Sequence, residues 1–269
     1  MSEHEILFTN AAVQNRSFDI DQNPGKVSGI IAAQLLNRLF DNPDVVHCWN
    51  NVGLFDEAET TTSDERLEHK YDSQVLKQHL TYWGTAGKLV VQTDDEEWFS
   101  TWAVGLVESC LERGDIYIQN TTFSRCAQCD LVIAESAAHI DQCGRCKGQN
   151  LDVVKEDGLF VDVPDDRQSL LLPENLYNSI NIYQERDSFK QLPPRLLLSR
   201  DRSRGVNLER IGLTDKVLDP RLGIGLLAVY AASIRGYEKG CLVQSLSTLV
   251  RTAPYLNSVI VDADRQGIP

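Results

Sequence analysis

The chain has 269 residues, of which 42% are hydrophobic, and it carries a formal net charge of −13. This hydrophobic fraction supports a substantial core and excludes global disorder. The acidic balance argues against a chain built mainly to hold nucleic acid, because such binding depends on neutralising phosphates with basic side chains. No apolar run approaches the roughly 20 residues of a membrane helix, and the first residues lack the blocks of a secretion signal. We therefore expect a cytoplasmic protein without a membrane partner, in which clustered cysteines bind metal rather than form disulfides.

A strand–helix–strand pattern opens the chain. Residues 5–13 form a short apolar run typical of a buried strand, and a second such run covers residues 44–52. Between them, Asn23 and Pro24 are a suitable N-cap and first helical residue. The helix that follows has an apolar side made of Ile30, Leu35, Leu36, Leu39 and Phe40. This order predicts a βαβ unit and a parallel sheet.

The next segments alternate between polar and apolar patterns. Residues 56–70 are acidic and rich in threonine, which predicts an exposed loop. A helix then ends at Arg113–Gly114 and presents one apolar stripe that we interpret as core: Trp98, Phe99, Trp102, Leu106, Val107 and Cys110. A strand follows this helix and leads into the cysteines. We predict a later helix at residues 221–236 and a last buried strand at residues 257–264. Three further thiols are predicted to be buried packing groups: Cys48, Cys110 and Cys241.

Four of the seven cysteines form two Cys-x-x-Cys pairs with thirteen residues between them: Cys126, Cys129, Cys143 and Cys146. Two such turns present four thiolates to one tetrahedral zinc ion and leave no open position, so the predicted zinc is structural. Gly144 suits the turn between the second pair because glycine adopts positive φ easily. The alternatives are four free thiols, an iron–sulfur site, or a site in which His139 replaces one cysteine.

The residues around the cysteines resemble class I aminoacyl-tRNA synthetases of the methionyl and related leucyl, isoleucyl and valyl group. The matching stretches are "VVQTDDEEWFSTW", "LERGDIYIQNTTFSRCAQCDLVIAE", "LLLSRDRSRGVNL" and, more faintly, "DKVLDPRLGIGLL". In the third stretch, Ser199, Arg200, Arg202 and Gly205 agree with the family pattern. Arg204 stands where tryptophan is usual, and the family's prolines are absent. Together these stretches cover about half the chain, in the family's order.

The resemblance implies an α/β fold, with a Rossmann-type parallel sheet core and a zinc-knuckle insert. Residues 1–118 would form the first half of the core, residues 119–160 the zinc-binding connective insert, and residues 161–269 the second part of the core. The sequence ends before the family's usual C-terminal half and anticodon-binding domain, so we expect a truncated relative.

Both ATP signatures of the family are missing. The His-Ile-Gly-His motif should fall at the start of the first helix, where either Val27–Ile30 or Ser28–Ile31 takes its place without a histidine. The later Lys-Met-Ser-Lys-Ser loop has no counterpart. The remaining candidates for binding a nucleotide or another anion are Gly25, Lys26, Ser28, Gly29, Arg200 and Arg202. The alternatives are glycine-rich capping without a ligand for the first group, and ordinary ion pairs for the arginines.

The sequence therefore predicts a synthetase-like paralogue that does not charge tRNA and retains a scaffold for a small ligand or a partner protein. The alternative is an ATP-dependent, amino-acid-activating ligase of a small-molecule pathway. A third reading is an accessory subunit that completes a site in another chain. Expected cofactors are structural zinc and, for the ligase, ATP. Expected partners are an amino acid or related small molecule, and a protein partner or second copy, but not tRNA. No residue is identified as catalytic.

Overall fold

The computed structural model describes a large part of the chain in separate stretches. These are residues 6–10, 24–41, 45–49, 89–94, 96–129, 132–135, 141–143, 146–163, 193–201, 205–243 and Tyr255. The predicted loop at 56–70 and the predicted last strand at 257–264 lie outside these stretches, as do Asn23, His139 and Gly144. Among the described residues, no helix is long and apolar enough to cross a membrane.

Four strands pair in parallel, as the opening pattern predicts. They are β1 (Ile6–Asn10), β2 (Val45–Trp49), β3 (Leu89–Thr93) and β10 (Lys239–Val243). β1 pairs with β10, β2 pairs with β3, and β1 also contacts β2. In each of the two pairs the strands run parallel, and Leu7 of β1 is fully buried. The prediction of an α/β fold with a parallel sheet is confirmed.

In the described part of the chain, three α-helices accompany these strands: α1 (Pro24–Leu39), α2 (Glu97–Arg113) and α3 (Pro220–Ser233). α1 contacts β1, β2 and β10, and α3 contacts all four parallel strands and α2. α1 begins at Pro24, as predicted, because the fixed φ of proline suits the first helical turn. α2 stops where Gly114 adopts a φ of 80° and its N–H closes the last turn. α3 begins with the Asp219 side chain accepting a hydrogen bond from the N–H of Arg221.

A second, antiparallel sheet carries the cysteines. Its strands are β4 (Tyr117–Cys126), β5 (Val132–Glu135), β6 (Leu151–Asp162) and β7 (Arg195–Leu197), in the order β5–β4–β6–β7. β4 and β6 pair continuously from Tyr117–Phe160 to Cys126–Leu151. A short antiparallel pair follows, formed by β8 (Ser199–Asp201) and β9 (Lys216–Leu218), and a 3-10 helix spans Glu209–Ile211 between them. The long β4–β6 pair, called the zinc hairpin below, places the first cysteine at its far end.

Two apolar clusters hold these layers. The main core combines Leu7 of β1 and Phe99 of α2 with the buried side of α3, which includes Leu222, Leu226 and Leu227. A smaller cluster of Phe123, Val132 and Phe160 belongs to the antiparallel sheet.

The structure corrects several predicted core positions. Trp98 is 76% exposed, although Phe99 beside it is fully buried, so the aromatic stripe of α2 begins one residue later than predicted. On α1, Ile30 is buried, but Leu35, Leu39 and Phe40 are exposed. The buried stripe of α1 instead includes Ala33, Gln34 and Asn37, and the Asn37 amide exchanges two hydrogen bonds with the backbone of Phe8. Cys48 and Cys110 are buried as predicted, whereas Cys241 is exposed.

Candidate metal centre and ligand site

The four predicted zinc ligands converge at the far end of the zinc hairpin. The sulfur atoms of Cys126, Cys129, Cys143 and Cys146 all lie within 4.8 Å of one another. Two cross-pairs are closer: the sulfurs of Cys126 and Cys146 are 3.4 Å apart, and those of Cys129 and Cys143 are 3.6 Å apart. Four sulfurs placed tetrahedrally about 2.3 Å from a zinc ion are separated by about 3.8 Å. The donor set and its spacing therefore fit one zinc ion bound by four thiolates.

Backbone groups shape the second cysteine pair around the sulfurs. The Cys143 N–H donates to the Gly148 carbonyl at 2.8 Å, and the Lys147 N–H donates to the Cys143 carbonyl at 3.0 Å. Lys147 adopts a φ of 62°, which turns the chain back toward the hairpin. The Gly148 N–H then donates to the Cys146 sulfur at 3.4 Å. This turn aims a backbone N–H at the Cys146 sulfur, on the side of the cluster nearest Gly148.

Gly148 packs closely against the cysteine cluster. A Cβ atom at this position would lie 2.8 Å from the Gln128 side-chain oxygen, 3.2 Å from the Cys146 sulfur and 3.5 Å from the Cys126 sulfur. The Gln128 side chain can move away and the distance to the Cys126 sulfur is an ordinary contact, so a side chain here would mainly press on the Cys146 sulfur.

The Cys126 thiol is prepared for metal binding by its surroundings. Burial alone raises the pKa of this thiol, but N–H groups of Cys129 and Gln128 outweigh that effect and lower its pKa to about 7. The buried Cys48 shows the opposite case, because burial raises its pKa to about 12. Metal binding requires the thiolate, so the cluster is suited to a metal and Cys48 is not.

A bound zinc ion would supply a cross-link between the two cysteine pairs rather than a reactive centre. Four thiolates complete the coordination shell, so no position is left for water or a substrate. Cys126 and Cys143 are buried, while Cys129 and Cys146 are partly exposed. With a metal bound, the four cysteines would hold the segments at the far ends of β4 and β6 together.

For the candidate nucleotide-binding residues at the start of α1, the structure gives their positions along the helix backbone. Gly25, Lys26, Ser28 and Gly29 all lie within the first two turns of α1. Free N–H groups at such an end attract anions, but a helix start alone does not define a ligand site. The role of these four residues stays a prediction.

Arg200, the other described member of the nucleotide set, is engaged with a buried carboxylate. Its Nε donates to Asp219 Oδ2 at 2.5 Å, and Asp219 is fully buried at the start of α3. Arg221 holds the same carboxylate through its Nε at 3.0 Å and a terminal nitrogen at 2.7 Å, and its guanidinium lies over the Tyr255 ring at 4.1 Å. Burial by itself lowers the pKa of Arg200, but Asp219 outweighs this and raises it. Arg202 and Arg204 lie outside the described residues.

A further cluster of charges, not anticipated from the sequence, joins the zinc hairpin to the β8–β9 pair. Arg125 donates to Glu156 at 2.8 Å and to Asp201 at 2.9 Å, while Lys216 donates to Glu156 at 2.6 Å and also to Asp201. The four side chains form a closed ring of alternating sign, called the charge ring below. Desolvation raises the pKa of Glu156, but Lys216 and Arg125 outweigh it, so the net pKa is lowered.

The sequence contains a local signal for Asp219 but none for the charge ring. Asp219–Pro220 is a local N-cap and first-turn signal, which could have identified this aspartate. The ring has no such signal, because Arg125 is 76 residues from Asp201 and Lys216 is 60 residues from Glu156.

The combination of a parallel sheet, its helices and a cysteine-tipped antiparallel hairpin is similar to class I aminoacyl-tRNA synthetases of known structure. Methionyl-tRNA synthetase of Mycobacterium tuberculosis in complex with methionyl-adenylate matches with a TM-score of 0.68 at 13% identity, over 97% of this chain and 55% of that chain. The apo form of that enzyme matches with a TM-score of 0.62 at 14% identity, over 97% and 54%.

At these identities the likeness establishes the fold alone. The chain spans about half the length of the synthetases that it matches. No protein-family model matches the sequence, and no curated protein matches it either. The scaffold is therefore synthetase-like, and activity has to be argued from this chain's own residues.

Proposed function

We propose that this chain is a non-charging member of the methionyl-type synthetase fold, with a structural zinc ion and a retained scaffold for a small ligand or a partner protein. The observation that carries the proposal is the start of α1. In this fold, the strand–helix junction after the first strand is where the family places its histidine signature, and here the helix begins Pro-Gly-Lys-Val-Ser-Gly.

The missing histidines matter because adenylate formation builds negative charge on the leaving pyrophosphate. Removing one preorganised polar contact to a developing charge typically costs a 10²–10³-fold reduction in rate. The sequence supplies neither histidine, and the nearest positive group to the expected signature is Lys26. Arg200 forms an ion pair with Asp219, so its guanidinium is already partly neutralised. These features support a chain that does not activate amino acids efficiently.

The zinc hairpin supports the retained scaffold. Its far end is closed by four thiolates, and its base pairs with β7 through Phe160–Leu197, so it is organised as part of the fold. Among the solved structures of similar fold, the M. tuberculosis methionyl-tRNA synthetase is in complex with methionyl-adenylate. We infer that the present chain binds a small molecule of the amino-acid class, or a partner protein, without the transfer step to tRNA.

The decisive experiment is ATP–pyrophosphate exchange by zinc-loaded protein across the twenty amino acids, without tRNA. We expect no exchange above that of a heat-inactivated sample. Metal content and circular dichroism would establish that the protein tested is loaded and folded. Binding is measured on the same preparation as a thermal shift with each amino acid, and light scattering detects a partner or a second copy.

Exchange driven by one amino acid would overturn the proposal in favour of the ligase alternative. In that case Lys26→Met should reduce exchange by tenfold or more, because it removes the positive group nearest the expected signature. The matched control is Lys155→Met, an exposed lysine on the zinc hairpin. Equal activity of both variants would exclude Lys26 from the reaction.

A further inference from the structure

The charge ring joins the zinc hairpin to the β8–β9 pair, in addition to the main core, which already includes Leu159 of β6 and Leu218 of β9. Arg125 and Glu156 lie on the two strands of the zinc hairpin, and Asp201 and Lys216 lie on β8 and β9. Each positive group contacts both negative groups, so every member has two partners of opposite charge. No member can leave the ring without breaking two ion pairs.

The ring is shielded from water enough to be more than a surface feature. The Lys216 side chain is only 10% exposed, and the other three side chains are between 20% and 24% exposed. The Lys216 ammonium also lies 6.0 Å from the centre of the Phe123 ring, against the small apolar cluster of the hairpin. Exposed ion pairs contribute little to stability, whereas removing one partner of a buried pair leaves an uncompensated charge.

Other attachments of the hairpin lie closer to its base or level with Glu156. The Leu198 N–H donates to the Leu159 carbonyl at 2.7 Å, and the Leu159 N–H donates to the Ser199 hydroxyl at 3.1 Å. Arg195 of β7 donates to Thr121, which pairs with Glu156, at 3.4 Å. Through Arg125, which immediately precedes Cys126, the charge ring reaches the half of the hairpin that carries the cysteines.

We propose that the charge ring is a lock that fixes the orientation of the zinc hairpin relative to the parallel sheet, and that breaking it lets the hairpin pivot about its base at Phe160–Leu197. The lock couples the metal centre to the start of α3, since Asp201 follows Arg200, whose partner Asp219 caps that helix. This device is distinct from ligand binding and does not depend on which ligand the chain takes.

A lock of four charges differs from two independent pairs in how it responds to charge swapping. Exchanging Glu156→Lys with Lys216→Glu would restore an isolated pair. In the ring it would not, because the new lysine would face Arg125 and the new glutamate would face Asp201. Adding Arg125→Glu and Asp201→Lys reverses every charge and restores alternation. We expect the variant with all four charges reversed to recover the hairpin orientation that the variant with two reversed charges loses.

The test uses cobalt(II) in place of zinc in the full chain, because the paramagnetic ion reports its position by shifting distant amide resonances. Thiolate-to-cobalt absorption first establishes that the metal is bound. In the wild type, we expect the shifts of α3 amides to fit a single metal position. In Lys216→Met, which keeps the length of the side chain, we expect those shifts to fall by half or more as the hairpin moves. Lys155→Met is the matched control and should retain the wild-type shifts.

Hydrogen exchange of the Leu159 and Leu198 amides gives a second reading that needs no cobalt. These amides join the hairpin to its neighbours, and we expect them to exchange at least tenfold faster in Lys216→Met. If that variant does not fold, Glu156→Gln is measured instead. The lock would be overturned if a folded variant of the charge ring kept both the wild-type cobalt-induced shifts of the α3 amides and the wild-type hydrogen-exchange rates. Absence of cobalt binding would overturn the metal proposal instead, and hydrogen exchange would then decide the lock alone.

Discussion

The zinc hairpin and the parallel-sheet core are stabilised by different kinds of interaction. In the core, helices α2 and α3 bury whole faces of leucine, alanine and aromatic side chains against the strands. In the half of the antiparallel sheet that carries the cysteines, the smaller cluster of Phe123, Val132 and Phe160 is joined by the four clustered cysteines and the charge ring. A cluster this small buries little apolar surface, so we expect a bound metal and the ion pairs to supply much of the stability there.

This difference means that the two regions should fail under different conditions. Burial of apolar surface does not depend on a chelator and depends little on pH. Thiolate ligation of a metal is lost on adding a chelator and in acid, and ion pairs are lost when acid protonates their carboxylates. The comparison can therefore be tested by treatments that act on one region and spare the other.

Metal removal should have the largest effect. Structural zinc contributes on the order of 10 kcal/mol in small metal-binding peptides. We expect chelation, or Cys143→Ser, to abolish amide protection in the cysteine half of the hairpin while α3 keeps most of its protection. Hydrogen exchange measured by mass spectrometry checks this, with Cys241→Ser as the control thiol. Equal loss of protection in α3 would show that the two regions are not separable.

Replacing Asp219 should have the next largest effect, and it acts on the core. Asp219→Ala leaves Arg200 and Arg221 without their buried carboxylate and removes the cap of α3. Losing one partner of a buried pair costs about 3–5 kcal/mol, and losing the cap adds about 1 kcal/mol. Asp219→Asn should cost less, because the amide oxygen still accepts the capping hydrogen bond. Urea unfolding measures both variants, and Glu112→Gln is an exposed control; equal costs for the alanine and asparagine variants would refute the capping contribution.

Gly148→Ala should weaken the metal centre without disturbing the core. The new methyl group would press on the Cys146 sulfur, and changes just outside a metal's ligands typically reduce affinity by about 10–100-fold. Competition with a chromophoric chelator measures the affinity. Gly105→Ala is the matched control, because a Cβ there meets no atom within 4 Å. Unchanged affinity in Gly148→Ala would mean that the two cysteine turns adapt freely.

The smallest expected effect is the pH dependence contributed by Glu156. Its pKa is lowered in the folded state, so its stabilisation is complete above the ordinary glutamate pKa of about 4.3. That contribution is lost as the pH falls through the lower folded value. The stability difference between wild type and Glu156→Gln should therefore narrow between about pH 5 and pH 3. The measurement uses cadmium-loaded protein, because thiolates hold soft ions tightly. If the stability difference between the two proteins stayed constant over this pH range, a lowered pKa of Glu156 would be excluded.

Local sequence signals predicted the local features. Pro24 located the start of α1, Arg113–Gly114 located the end of α2, and the cysteine spacing identified the four residues that converge. Each depends on residues within a few positions of one another. The side of each helix that is buried was harder to predict. Trp98 and Leu39 fit an apolar stripe but are exposed, because burial depends on which neighbour covers a helix and not on its own periodicity.

The sequence by itself determined the class of fold and the four cysteines that converge, because these depend on residue identity, short spacing and the order of local patterns. Only the tertiary structure decided what the charged side chains do. Arg200 was predicted from the sequence to bind an anionic ligand, yet in the structure it forms an ion pair with Asp219. The charge ring joins residues from four strands. Ion pairs form between groups that folding brings together, and their sequence separation carries no information about their distance in space.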